Sequence, residues 1–111
     1  MSAAEEEPTA PPELPPLHES TLAGDDLDAL FRDLGALTRV IGILPKYGPR
    51  DHVDPHPAPL TLDAARDGLL RGDFRGLQIR YLYDDAEWWD TLLPAPGSGA
   101  FRIVRIQHAL A

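Results

Sequence analysis

Two histidines and an aspartate lie close together in the stretch HVDPH, at His52, Asp54 and His56. Imidazole and carboxylate groups are ligands for zinc, iron or nickel, and Pro55 restricts the backbone between them. The spacing is not that of a helical or zinc-finger site, however, and His18 and His108 are isolated in the sequence. Two interpretations therefore stay open for this stretch, a metal or small-ligand site and a polar turn.

A second group of candidate side chains surrounds two adjacent tryptophans. The stretch DDAEWWD carries four carboxylates and both tryptophans of the chain, at Asp84, Asp85, Glu87, Trp88, Trp89 and Asp90. Paired carboxylates beside aromatic rings are typical of glycoside hydrolases. Because this stretch is predicted to be a tight hairpin, it offers no cleft in which a carboxyl pKa would shift. We therefore predict no catalytic residue, no cofactor and no enzymatic activity.

The composition argues against several classes of protein. The chain has 111 residues and no cysteine, which excludes disulfides and thiolate metal sites. Its net charge is −8, and residues 1–45, with nine acids and two arginines, carry −7 of it. Nucleic-acid binding needs a basic surface, so we expect no nucleic-acid partner. No signal-peptide pattern and no long apolar run are present, and we expect a cytoplasmic protein without membrane contact. The excess of arginine over lysine is common in GC-rich bacterial genomes.

The N-terminal segment is rich in proline, glutamate and alanine. Such a composition cannot bury enough apolar surface to offset the entropy of ordering, so residues 1–22 are predicted to be a disordered acidic tail. Within it, PPELPPLHES contains a bare PxxP spacing without a flanking basic residue. The segment is either a solubilising tail or a docking peptide whose Leu14 and Leu17 contact a partner.

Beyond the tail, hydrophobic periodicity predicts two helices and then three strands. The predicted elements are a helix over 25–44, a Pro-rich loop over 45–60, a helix over 61–71, and strands over 76–83, 87–93 and 100–107. They predict a single α+β domain over 23–111, with both helices on one face of a three-stranded antiparallel meander. The order is similar to that of winged helix-turn-helix proteins, but the long loop and the acidic charge argue against that class.

The adjacent tryptophans must point to opposite faces of the sheet. A three-residue turn would place Asp90 opposite Arg80, which is a favourable cross-strand pair. A two-residue turn would place Asp90 opposite Ile79 among apolar neighbours, which is costly. We therefore predict the first register, with Trp89 in the core beneath the helices and Trp88 on the far face.

In this register the far face carries more apolar side chains than a solvated face needs, which is typical of an interaction surface. The predicted partner-binding residues are Leu82, Trp88, Leu92, Val104 and Ile106, oriented by Arg80 and Asp90. The expected partner is another protein or a second copy of the chain. The leading hypothesis is an accessory or adaptor protein that acts by protein–protein contact. The alternative is a metal- or small-ligand-binding domain that uses the loop with His52, Asp54 and His56.

Overall fold

The computed structural model describes residues 17–49, 51 and 59–108. They form β1 (Leu17–Leu22), α1 (Gly24–Leu37), β2 (Arg39–Lys46), α2 (Leu62–Arg71), β3 (Gly76–Tyr83), β4 (Ala86–Ala95) and β5 (Ala100–His108). The strands make one antiparallel sheet in the order β1-β5-β4-β3-β2. The α+β class agrees with the prediction. The three-stranded meander is wrong, because β1 and β2 extend it at both edges.

The first edge strand, β1, lies in the segment predicted to be a disordered tail. Residues 17–22 pair with β5, from Leu17 opposite Ile106 to Leu22 opposite Phe101. The partner strand is almost the whole chain away, so no local pattern could indicate the pairing. The predicted tail is therefore wrong for residues 17–22, and residues 1–16 lie outside the part of the chain that the structure describes.

The second edge strand, β2, lies in the second half of the predicted helix 25–44. The helix α1 ends at Leu37, and the Thr38 hydroxyl donates to the Leu34 carbonyl oxygen at 2.7 Å. The following RVIGILPK is a strand with a bulge between Val40 and Gly42. The bulge interrupts the two-residue alternation that would have indicated a strand. The β-branched residues and a proline, which an edge strand tolerates, suit the observed structure.

The helix α1 connects the two edges of the sheet. Its 14 residues span roughly 21 Å at about 1.5 Å per residue. Four inter-strand spacings of about 4.8 Å give a sheet width of roughly 19 Å, so the helix is long enough to cross all five strands. It packs on the sheet together with α2, and this layer contains the core. The buried apolar side chains of the helices are Leu27, Phe31, Leu34, Ala65 and Leu69.

The shorter helix, α2, coincides with the predicted helix 61–71. Thr61 accepts a hydrogen bond from the Ala64 backbone N–H at 3.1 Å, and Gly72 ends the helix with a φ of 80°, where a glycine is favoured. The predicted Pro-rich loop 45–60 begins two residues later than expected because β2 continues to Lys46. Residues 52–58 of this loop lie outside the described ranges.

The two faces of the sheet differ in what covers them. The helix face packs against α1 and α2 through buried side chains of β3, β4 and β5, namely Leu77, Ile79, Tyr81, Leu92, Phe101 and Ile103. The opposite side, here called the open face, packs against neither helix. Its apolar members, placed there by the strand register, are Leu44, Leu82, Trp89, Leu93, Val104 and Ile106.

Candidate functional site

The β3–β4 hairpin has a two-residue turn. Asp84 and Asp85 both have positive φ, 53° and 61°, as the central residues of a type I′ turn do, and aspartate tolerates this region better than most residues. Tyr83 pairs with Ala86 and Ile79 pairs with Asp90. The predicted three-residue turn is therefore wrong, and every side chain of β4 points to the face opposite to the one expected.

The two tryptophans have consequently exchanged places. Trp88 lies on the helix face, packs against the core, and donates its indole N–H to the Tyr83 carbonyl oxygen at 3.2 Å. Trp89 lies on the open face, opposite Arg80 on one neighbouring strand and Ile106 on the other. The prediction that placed Trp89 in the core and Trp88 on the far face is wrong.

Of the seven predicted partner-binding residues, the structure brings four together on the open face: Leu82, Val104, Ile106 and Arg80. The other three, Trp88, Leu92 and Asp90, lie on the helix face, where Leu92 and Asp90 are fully buried. Trp89, Leu93 and Leu44 complete the open face and were missed by the sequence reasoning. The dipeptide Asp84-Asp85 was the signal that could have found Trp89 and Leu93, because it suits a two-residue turn.

Trp89 is the centre of the open face. The Arg80 guanidinium carbon lies 3.8 Å from the centroid of its ring, and the His108 ring lies 4.0 Å away at an interplanar angle of 37°. The indole N–H donates to Glu87 Oε2 at 2.6 Å. Arg80 itself donates from Nε to Gln78 Oε1 at 2.9 Å. Neighbours on both adjacent strands thus hold the indole in place, which lowers the entropy it would lose on contact with a partner.

The open face is basic although the chain is acidic. Among the residues that the structure describes, its charged members are Arg39, Lys46, Arg80, Arg102, Glu19 and Glu87. Four cations and two carboxylates give +2 on this face, against −8 for the whole chain. Within the described ranges, Arg102 is the only one of these cations in an ion pair, with Glu19. The acidic residues of α1 and α2 lie on the other side of the sheet.

On the helix face, a buried polar cluster surrounds Asp90. This carboxylate is 0% exposed, and it accepts hydrogen bonds from Arg105 Nε and Nη2, both at 2.8 Å, and from the Tyr81 hydroxyl at 3.0 Å. The hydrogen bond to Asp90 raises the pKa of Arg105. Burial, together with the negative charge of Asp90, raises the pKa of Tyr81. Within the β3–β4 hairpin alone, this position is too costly for Asp90, but Arg105 on β5 supplies the compensating charge.

A groove lies between α1 and the helix face, and Arg105 lies in its floor. Two cavities described by the structure lie in this groove, and both are lined by Leu30 and Arg105. The α1 cavity, about 350 Å³, extends to Leu37 and Thr38 at the C-terminal end of the helix. The β1 cavity, about 230 Å³, is lined by Ser20, Leu22, Leu30, Ile103 and Arg105. The β1 cavity therefore combines an aliphatic lining with one arginine whose orientation Asp90 fixes, whereas the lining of the α1 cavity also includes Asp33 and two tyrosines.

The predicted metal ligands His52, Asp54 and His56 lie outside the described residues, so that hypothesis stays a prediction. In the ranges that the structure does describe, no three side chains of His, Asp or Glu are grouped as they would be around a metal ion. None of the helices in those ranges is long and apolar enough to cross a membrane.

Comparison with known proteins gives no match: no family model matches the chain, and neither a curated protein nor a solved structure matches it.

Proposed function

We propose that this protein is a small accessory or adaptor protein that acts by protein–protein contact through the open face of its sheet. The observation that supports the proposal best is the position of Trp89, which lies among aliphatic side chains and beside Arg80 on a face that neither helix covers. Tryptophan and arginine are the residue types most enriched among those that dominate binding energy at protein interfaces.

The charge of the open face favours one kind of partner. Two copies of a face with a net charge of +2 repel each other, whereas a partner with acidic and apolar side chains complements it. The proposed partner is therefore another protein with an acidic contact surface, and a symmetric dimer through this face is the competing possibility. Since charge contributes to the contact, binding should weaken as the salt concentration rises.

Site-specific photo-crosslinking in the native cell tests this proposal. A photoreactive amino acid at Leu44, which is 38% exposed on the open face, is compared with the same amino acid at Leu70, which is 51% exposed on α2. We expect one discrete cross-linked product from position 44, lost when Trp89→Ala is added, and none from position 70. The mass of the product distinguishes a foreign partner from a second copy of the chain.

The tryptophans supply a matched pair of variants for the same experiment. Trp89→Ala should abolish the cross-link but lower the free energy of unfolding by only about 1–2 kcal/mol, because it removes the contacts with Arg80 and His108 and the hydrogen bond to Glu87, all outside the core. Trp88→Ala should retain the cross-link and cost about 3 kcal/mol, because Trp88 packs against the core. A cross-link that is unaffected by Trp89→Ala, or equal from positions 44 and 70, contradicts the proposal.

A further inference from the structure

The β1 cavity has the composition of a site for a small acid. Three aliphatic side chains, Leu22, Leu30 and Ile103, form its walls, and Ser20 contributes a hydroxyl. Of the described residues that line it, Arg105 is the only charged one. A ligand in this cavity therefore meets apolar surface on most sides and one cation.

The hydrogen bonds of Arg105 leave part of its guanidinium available. Asp90 accepts one hydrogen bond from Nε and one from Nη2. These two bonds leave out both N–H groups of Nη1 and the second N–H group of Nη2. The outer edge of a guanidinium, formed by Nη1 and Nη2, has the geometry to donate two parallel hydrogen bonds to another carboxylate. The Arg105 side chain is 37% exposed, and it lines the cavity.

Asp90 fixes Arg105 without itself reaching the ligand. Its carboxylate is 0% exposed and lines neither cavity. The bidentate pairing with Asp90 holds the guanidinium in one orientation before any ligand arrives, which reduces the entropy lost on binding. Among the residues that the structure describes, the charge that lines the β1 cavity is consequently positive.

We propose that the β1 cavity binds a small monocarboxylate with an aliphatic chain, whose carboxylate accepts hydrogen bonds from the outer edge of Arg105 and from Ser20. The size of the cavity is consistent with such a ligand. Since one water occupies roughly 30 Å³ in the liquid, a cavity of about 230 Å³ has room for roughly eight non-hydrogen atoms, the size of hexanoate. This site lies on the face opposite Trp89 and does not depend on the proposed protein contact.

Titration of the full chain with hexanoate, followed by NMR shifts of backbone amides, tests this site. Hexan-1-ol is the matched control, because it keeps the aliphatic chain and lacks the carboxylate. With hexanoate we expect saturable shifts in β1 and β5 around Ser20 and Arg105. Hexanol should bind more weakly by roughly tenfold or more, because it lacks the carboxylate that accepts hydrogen bonds from the charged guanidinium. Equal affinities for the two compounds, or no saturation with hexanoate, would overturn the proposal.

Two pairs of variants identify the residues. Arg105→Lys keeps a cation for Asp90 but removes the outer edge, and should weaken hexanoate binding by roughly tenfold while leaving hexanol unchanged. Ser20→Glu adds a carboxylate at an exposed position and should abolish hexanoate binding, whereas Ser20→Gln, of similar size and uncharged, should retain most of it. The Ser20 pair leaves the Asp90 cluster intact, so the test survives even if Arg105→Lys unfolds the protein.

Asp33 supplies a control in the other cavity. It lines the α1 cavity and is absent from the lining of the β1 cavity. Asp33→Asn should therefore change hexanoate affinity by less than about twofold, since an exposed charge is screened by solvent. Two results would show that the acid does not bind where we propose. One is the same hexanoate affinity in Ser20→Glu and in Ser20→Gln, and the other is a set of amide shifts confined to the open face.

Discussion

Arg105 on β5 donates to both oxygens of the Asp90 carboxylate on β4, from Nε and Nη2 at 2.8 Å each. The carboxylate is fully buried, whereas the arginine is 37% exposed. Such a pair is not a large net source of stability, because both charges lose hydration when they are buried. Its effect is to make one strand register acceptable, since Asp90 faces the core only where Arg105 and Tyr81 can reach it.

A double-mutant cycle on this pair should show strong coupling. Arg105→Met leaves Asp90 buried without its cation and should lower the free energy of unfolding by about 3–5 kcal/mol. Asp90→Asn combined with Arg105→Met should cost less than Arg105→Met alone, because the uncompensated charge is gone. Urea unfolding of the four proteins measures the coupling. The exposed pair Arg102–Glu19 is the matched control, and its cycle should give at most about 1 kcal/mol.

The hairpin turn offers a stabilising substitution. Asp84 and Asp85 both have positive φ. The double substitution Asp84→Asn and Asp85→Gly gives the dipeptide preferred in type I′ turns. It should raise the free energy of unfolding by about 0.5–1 kcal/mol. The matched control is alanine at both positions, which removes the same two charges but disfavours positive φ. Thermal unfolding should shift upward for the first variant and downward for the second. A shift in the same direction for both would attribute the effect to charge.

The stability of the protein should fall at high pH through Tyr81. Burial beside Asp90 raises the pKa of this phenol, whereas in the unfolded chain its pKa is about 10. Below that pH Tyr81 is neutral in both states and adds no pH dependence. Above it the unfolded chain loses a proton that the folded protein retains, so the free energy of unfolding falls by up to about 1.4 kcal/mol per pH unit.

Urea unfolding of the wild type and of Tyr81→Phe, at a series of pH values from about 8 to 11, measures this effect. The variant should be less stable at pH 8 because Asp90 loses a hydrogen-bond donor. Its stability should then decline less steeply above about pH 10, by the equivalent of one proton. Parallel curves for the two proteins would contradict the assignment.

The elements with strong local signals were predictable from the sequence. The helix α2 has its cap at Thr61 and its stop at Gly72, and β3 shows clear alternation from Gly76 to Tyr83. Both edge strands were missed, because the pairing of β1 depends on a strand at the other end of the chain and a bulge interrupts the pattern of β2.

The site was predictable only in part, for a related reason. The existence of a second apolar face follows from the strand patterns, and Leu82, Val104 and Ile106 were placed together on it. Which tryptophan joins them depends on the strand register. The predicted register rests only on the favourable cross-strand pair of Arg80 and Asp90. The stabilising partner of Asp90 is Arg105, 15 residues further along the chain, and pairwise reasoning within one hairpin does not include it.

The position of β1 beside β5 constrains how the chain can fold during synthesis. A ribosome makes β1 and α1 first, yet β1 has no strand to pair with until β5 has emerged. The hairpin of β3 and β4 can form beforehand, and it exposes an unpaired edge for as long as β5 is missing. Nascent chains that stop before β5 should therefore be recognised by chaperones and proteases, and the α1 layer should become protease-resistant only after the last strand has left the exit tunnel.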